Sequence, residues 1–156
     1  MKTTSIRALA TAAFAGAVAN AFLAAPARSH HSFAMYDQQT TRTLTGKLTR
    51  FIPGANHAQL YFELVGPDGE ALEGESGQPA VWGVEMGPAA QIARQGVTVK
   101  SFPIGTVLTV TLNPLRDGRP FGALARQGGV LVKCGDTVPE GGCTEETGES
   151  FLGVGN

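Results

Sequence analysis

Apolar side chains through most of the chain alternate with polar ones in short runs, a pattern typical of β-strands with one buried face. In one such run, Leu60, Phe62 and Leu64 occupy every second position. Glycine- and proline-containing turns separate the runs, and these residues punctuate strands because they suit tight turns. The predicted strands cover residues 41–51, 57–65, 80–86, 106–112, 121–127 and 130–134.

One short helix is predicted between the third and fourth strands. Pro88 suits a first helical position, Ile92 lies on its apolar face, and Gly96 can end it. After the helix, we expect residues 97–102 to be extended. The Gly128–Gly129 pair predicts a hairpin that joins the last two strands.

Three strands, one helix and two or three further strands follow the order of an oligonucleotide/oligosaccharide-binding (OB) barrel. We therefore predict an all-β domain with one short helix, an OB-like barrel of five or six strands over residues 30–134. A small β-sandwich has a similar strand count, but the position of the helix favours the barrel. The fold alone implies no function.

Residues 1–29 have the pattern of a bacterial export signal. Lys2 and Arg7 precede an apolar run over residues 8–25, and small residues, Ala27 and Ser29, stand before the predicted cleavage point. A membrane anchor is the alternative, and cleavage two or four residues earlier would also fit. Cleavage predicts a periplasmic or secreted protein without a membrane span.

Loss of the signal changes the charge balance of the chain. Lys+Arg falls from 12 to 9 while Asp+Glu stays at 13, which leaves a mature net charge near −4. Nucleic-acid-binding domains favour a basic face, so we expect no nucleic-acid partner. The protein partner, if any, stays open.

Cys134 and Cys143 are the only cysteines, and export would place them in an oxidising compartment. Their spacing matches neither a zinc hook nor a Cys-x-x-Cys redox pair, so a structural disulfide is predicted. The acidic, glycine-rich tail, 135–156, is expected to be mobile apart from this tether.

The three histidines carry the most specific chemistry in the chain. Cleavage after Ser29 would make His30 the first residue, with an α-amine and an imidazole beside His31. His57 could supply a further nitrogen, and copper suits such nitrogen-rich sites. A carboxylate, Asp37 or Glu85, could join if the fold brings it close.

A simpler interpretation is that His30 and His31 form a solvated end and that His57 hydrogen-bonds to the backbone at a turn. No hydrolytic triad, Gly-x-Ser-x-Gly motif or phosphate loop is present, so no catalytic residue is assigned. Trp82 is expected in the core rather than on a binding platform, because of the alternation in its strand.

Several motifs resemble a family of small exported bacterial proteins of unknown function. The His-His-Ser-Phe sequence at 30–33 matches the family's mature N-terminus, and Thr-Leu-Thr-Gly at 43–46 matches its first strand. The family's Asn-Pro-His triplet is represented by His57, preceded here by Ala55 and Asn56. The resemblance covers roughly residues 30–134. It implies an exported β-domain and no established activity.

The sequence therefore predicts an exported, non-enzymatic binding protein that takes copper or a similar ion through His30, His31 and His57. The alternative is a metal-free OB-like module that binds a small ligand, a glycan or a protein.

Overall fold

A computed structural model describes residues 33–151 of the chain. Within that range a short 3-10 helix leads into seven strands and one α-helix. In chain order they are η1 (Phe33–Met35), β1 (Arg42–Ile52), β2 (Gln59–Leu64), β3 (Val81–Glu85), α1 (Ala89–Arg94), β4 (Val107–Pro114), β5 (Phe121–Leu124), β6 (Leu131–Lys133) and β7 (Glu149–Ser150).

The first five strands close into a barrel. β1 pairs with β2, β2 with β3, β3 with β5 and β5 with β4, and β4 returns to pair with β1. The β3–β5 pair is parallel and the other four are antiparallel. This connectivity, with α1 between β3 and β4, is the predicted OB-like barrel, so the predicted fold class is confirmed.

The barrel is filled by side chains that alternate inward along its strands. Leu60 and Phe62 of β2 face Val84 of β3 inside the barrel, and each is fully buried. Ile92 of α1 joins this core, so the helix covers one end of the barrel. Burying a side chain of this size stabilises the fold by roughly 1.5–3 kcal/mol. Trp82 is half-buried and packs against the same core, as expected.

β4 is the central strand because it pairs with three others, β1, β5 and β6. One edge pairs with β1, and hydroxyl pairs Thr43–Thr111 and Thr45–Thr109 reinforce it at 2.9 and 2.7 Å. The other edge pairs with β6 and, further along, with β5. The predicted hairpin at Gly128–Gly129 is therefore wrong. β5 and β6 lie end to end along β4, and their other edges pair with β3 and β7, so the two strands do not pair with each other.

Two further expectations differ from the structure. Residues 97–102 form a turn rather than an extended segment, closed by mutual hydrogen bonds between Thr98 and Ser101. The tail, expected to be mobile apart from the disulfide, packs on the barrel as far as Phe151. β7 pairs with β6, and the Phe151 ring lies 5.1 Å from that of Phe102 in the core.

The predicted Cys134–Cys143 disulfide is formed, with the two Cα atoms 5.7 Å apart. Cys143 is buried beside Val107 and Val132, and its carbonyl accepts a 2.7 Å hydrogen bond from the Thr109 hydroxyl. The bridge therefore joins the tail to the residue after β6, and the Thr109 hydrogen bond joins it to β4. Across residues 33–151, no helix is long and apolar enough to cross a membrane.

Candidate metal site

His57 lies in the loop between β1 and β2, which is tied to the start of α1. Ala58, fully buried, donates its N–H to the Gly87 carbonyl at 3.0 Å and accepts from Met86 at 2.8 Å. Ala89 donates to the Gly54 carbonyl at 3.1 Å. With its neighbour held inward, the His57 side chain points outward and is 45% exposed.

Glu85, the last residue of β3, is the side-chain partner of His57. Its Oε1 lies 3.3 Å from His57 Nδ1. Register places Glu85 opposite Gln59, on the outer face of the barrel and next to the His57 loop. Because the carboxylate contacts Nδ1, it orients the ring with Nε2 on the opposite edge. Metal-binding histidines commonly have such a carboxylate on their other ring nitrogen.

Tyr36 reaches the same carboxylate from the start of the chain. Its side chain is buried with Leu115 and Ala123, and its hydroxyl donates a hydrogen bond to Glu85. Burial raises the pKa of the Tyr36 phenol well above its ordinary value, and the negative charge of Glu85 and the hydrogen bond raise it further. Tyr36 therefore stays neutral and acts as a donor. Tyr36, Glu85 and His57 form one connected chain of side chains, called here the Tyr-Glu-His chain.

The backbone around Tyr36 is held against the β4–β5 connection. Arg116 donates its backbone N–H to the Met35 carbonyl at 3.0 Å and its Nε–H to the Ala34 carbonyl at 3.1 Å. Asp37 donates its N–H to the Pro114 carbonyl at 2.8 Å. These bonds place the first described residues beside the face that carries Glu85.

Asp37, the other carboxylate considered from the sequence, accepts hydrogen bonds from its own turn, residues 37–40. The Thr40 hydroxyl donates to Asp37 Oδ2 at 2.8 Å and the Gln39 N–H to Oδ1 at 3.2 Å. The first of these bonds, supported by the second, lowers the pKa of Asp37. Of the two carboxylates, Glu85 is the one that the fold brings to His57.

The structure describes one of the three predicted histidine ligands. His57 lies inside residues 33–151, and His30 and His31 lie outside the described residues. Within the described range, no group of three or more histidine, cysteine, aspartate or glutamate side chains is placed to hold a metal ion. Tyr36 was not identified from the sequence as part of this site. No local pattern indicates its role, because the residues on either side of Tyr36, Met35 and Asp37, are not buried.

An aromatic pair lies beside the Tyr-Glu-His chain on the outer face of the barrel. The Tyr61 and Phe121 rings are 6.0 Å apart, and they flank Gly83, where an added Cβ would overlap Phe121. Tyr61 donates its hydroxyl to Gln59 Oε1 at 2.9 Å, and the Arg50 guanidinium lies 5.9 Å from the Tyr61 ring centre. We call Arg50, Tyr61 and Phe121 the aromatic face.

Comparison with known proteins gives one match. Residues 18–126 match a family described as a family of unknown function, DUF6152. No curated protein and no solved structure matches the chain.

Proposed function

Because the chain belongs to DUF6152, whose function is unknown, we propose a role from its own side chains: an exported, non-enzymatic protein that binds copper through His30, His31 and His57. The observation that carries this proposal is the Tyr-Glu-His chain, which connects the described start of the chain to His57.

The orientation of His57 suits a metal ligand. A carboxylate on Nδ1 fixes the ring and leaves Nε2, the nitrogen that would bind the ion, on the opposite edge. The ring is partly exposed, so an ion can approach from solvent. A histidine with this outer partner is a better ligand than a freely rotating surface histidine, because less side-chain entropy is lost on binding.

The N-terminal histidines stand close to Tyr36 in the chain, and His31 precedes Tyr36 by five residues. Residues 33–35 of this stretch form η1, so only residues 31–33 can be extended, and they span at most about 7 Å before the side chain of His31 is added. Tyr36 contacts the partner of His57, so the proposal requires the N-terminal histidines to lie on the same side of the barrel as the His57 ring.

The proposed donor set is nitrogen-rich. Signal cleavage after Ser29 would add the α-amine of His30 to its imidazole, and His57 would add a third nitrogen. Copper heads the affinity order of divalent first-row metals and accepts open, planar nitrogen sites. Export also agrees with the disulfide, since such bonds persist in oxidising compartments.

Native mass spectrometry of the exported protein tests the proposal. The mass of the apo protein identifies the first residue, and one equivalent of Cu(II) is then added with excess glycine as competitor. We expect a chain that begins at His30 and retains one copper. Loss of a residue that only hydrogen-bonds to a metal ligand costs roughly 10–100-fold in metal affinity. His57→Ala and the double variant His30→Ala/His31→Ala each remove a ligand itself, so each should weaken copper binding by more than that.

Gln39→Ala, at an exposed side chain of the Asp37 turn, is the matched control and should bind copper as the parent does. A mature chain that begins after His30, or equal copper retention by the parent and His57→Ala, would contradict the proposal.

The aromatic face supports a second candidate, a metal-free module that binds a glycan or small ligand. OB barrels bind ligands on the outer face of the second and third strands, where Tyr61 lies. Arg50→Ala/Tyr61→Ala should then abolish retention on immobilised glycans while leaving copper binding unchanged, which separates the two candidates.

A further inference from the structure

The three lysines of residues 33–151 line one surface cavity, although they come from separate parts of the chain. Lys47 lies on β1, Lys100 in the turn after α1, and Lys133 on β6. The cavity has a volume of about 570 Å³ and is open to solvent. We call these three residues the lysine cluster.

The turn at Gly105 forms part of this cavity. Gly105 has φ +93°, a conformation that favours glycine, and its N–H donates to the Leu48 carbonyl at 2.7 Å. A Cβ added there would lie 3.9 Å from Lys47 Cε, so the stem of Lys47 lies over the turn.

Charge in the cluster is only partly balanced. Lys133 Nζ lies 3.3 Å from Glu149 Oε2, and Asp136 also lines the cavity. No carboxylate within residues 33–151 lies in ion-pair distance of Lys47 or Lys100. Glu63 lies opposite Lys47 across the β1–β2 ladder and outside the cavity lining. The lining itself carries three lysines against one carboxylate, Asp136, whereas residues 33–151 carry 9 basic and 13 acidic side chains.

An exposed apolar side chain adjoins these cations. Ile104 lines the cavity and is 65% exposed, the highest value among the large hydrophobic residues of the described range. Val99, next to Lys100 in the chain, is 55% exposed. Basic side chains beside exposed apolar ones are typical of surfaces that lie at a lipid interface, where anionic headgroups attract the cations and the acyl boundary accepts the apolar groups.

We propose that the lysine cluster and Ile104 dock the protein on an anionic phospholipid surface, with headgroup phosphates against Lys47 and Lys100. The acidic remainder of the protein faces away from the membrane. The proposal goes beyond copper binding and does not depend on it.

Vesicle co-sedimentation at about 0.15 M salt, where exposed charges more than a Debye length apart are screened, tests the proposal. The full mature protein should sediment with phosphatidylcholine vesicles that contain phosphatidylglycerol and not with phosphatidylcholine alone. Each lysine near an anionic surface contributes about fivefold in affinity, so Lys47→Gln/Lys100→Gln should weaken binding about 30-fold. Ile104→Ser should weaken it several-fold.

Two variants separate charge from structure. Lys47→Arg/Lys100→Arg keeps both cations and should bind as the parent does. Arg42→Gln/Arg119→Gln removes two cations outside the cluster and should change binding less than twofold. Thermal unfolding of each variant checks that the barrel is intact.

Equal sedimentation of the parent and Lys47→Gln/Lys100→Gln would overturn the proposal, as would no sedimentation of the parent. Calorimetry with inorganic phosphate distinguishes free phosphate from a lipid headgroup as the ligand of the lysine cluster. Saturable phosphate binding that needs Lys47 and Lys100, with no binding to vesicles, would also overturn the lipid surface in favour of a free phosphate.

Discussion

At the scale of single residues, Glu85 connects two parts of the protein that are distant in sequence. Its carboxylate accepts a hydrogen bond from Tyr36, 49 positions earlier, and contacts His57, 28 positions earlier. A carboxylate with two such partners on a strand end has little rotational freedom. Glu85 is therefore a positioning residue for His57 in the proposed copper site.

Replacement of this carboxylate should affect copper binding and the tyrosine together. Glu85→Gln keeps the size of the side chain but removes its charge, so we expect copper affinity to fall about 10-fold or more. Because the Glu85 charge raises the pKa of Tyr36, the pKa of that phenol should fall in the variant. Glycine competition measures the first effect and ultraviolet titration of the tyrosines the second.

Glu63→Gln, on β2 and opposite Val81, is the matched control and should leave both quantities unchanged. A fall in the pKa of Tyr36 without loss of copper affinity would leave Glu85 as a partner of the tyrosine only. Unchanged copper affinity would contradict its positioning role.

At the scale of elements, β4 organises the molecule. β1 pairs along one of its edges, β5 and β6 share the other, and the disulfide loop hydrogen-bonds to its Thr109. The tail thus extends the sheet beyond β6 and also contacts β4. Its attachment depends on β7, on Phe151 and on one covalent bond.

The bridge should stabilise the whole domain, because closing a loop of this length restricts the unfolded chain. Cys134 and Cys143 are 9 positions apart. Cys134→Ala/Cys143→Ala should lower the free energy of unfolding by about 2–3 kcal/mol. Urea unfolding of the variant and of the oxidised parent measures the difference.

Reduction of the parent protein supplies the control and should give the same midpoint as the double variant. Hydrogen exchange should then be faster in β6 and β7 than in β1 to β3. A variant as stable as the oxidised parent would show that the packing of Phe151 and β7 is sufficient to hold the tail.

At the scale of the whole molecule, the sign of the charge limits the ligands that an OB barrel can take. Tyr61 and Phe121 offer faces on which bases could stack, and Arg50 lies beside Tyr61. Single-stranded nucleic acid also needs a basic groove that follows its phosphates. Residues 33–151 carry 13 acidic against 9 basic side chains, and this excess of negative charge opposes the binding of a polyanion.

We therefore expect the Kd for a labelled single-stranded oligonucleotide to exceed about 10⁻⁴ M at physiological salt. This value lies above the Kd range of non-specific nucleic-acid binders. Fluorescence anisotropy measures it, with a vesicle-binding assay on the same preparation as a control for activity. Micromolar affinity that decreases steeply with salt would contradict this expectation.

The local sequence pattern was sufficient to predict the strands and the helix but not which strands pair with each other. Alternation along 57–65 identified β2 within two residues of each end, and Pro88 marked the start of α1. The Gly128–Gly129 pair wrongly indicated a hairpin, because a turn signal carries no information about a third strand that competes for the same edges. The acidic, glycine-rich composition predicted a mobile tail, whereas in the structure Phe151 packs in the core and Cys143 is buried beside Val107 and Val132.

The sequence by itself determined the β class, the single helix and its position, and the cysteine pair, because strand alternation, turn residues and cysteine spacing act over a few neighbouring positions. It also marked His57 and Glu85 as separate candidates. Only the tertiary structure decided that they touch, that Tyr36 joins them, and that Lys47, Lys100 and Lys133 line one cavity. Such contacts depend on strand register and barrel closure, which arise from the packing of the whole core rather than from any local segment.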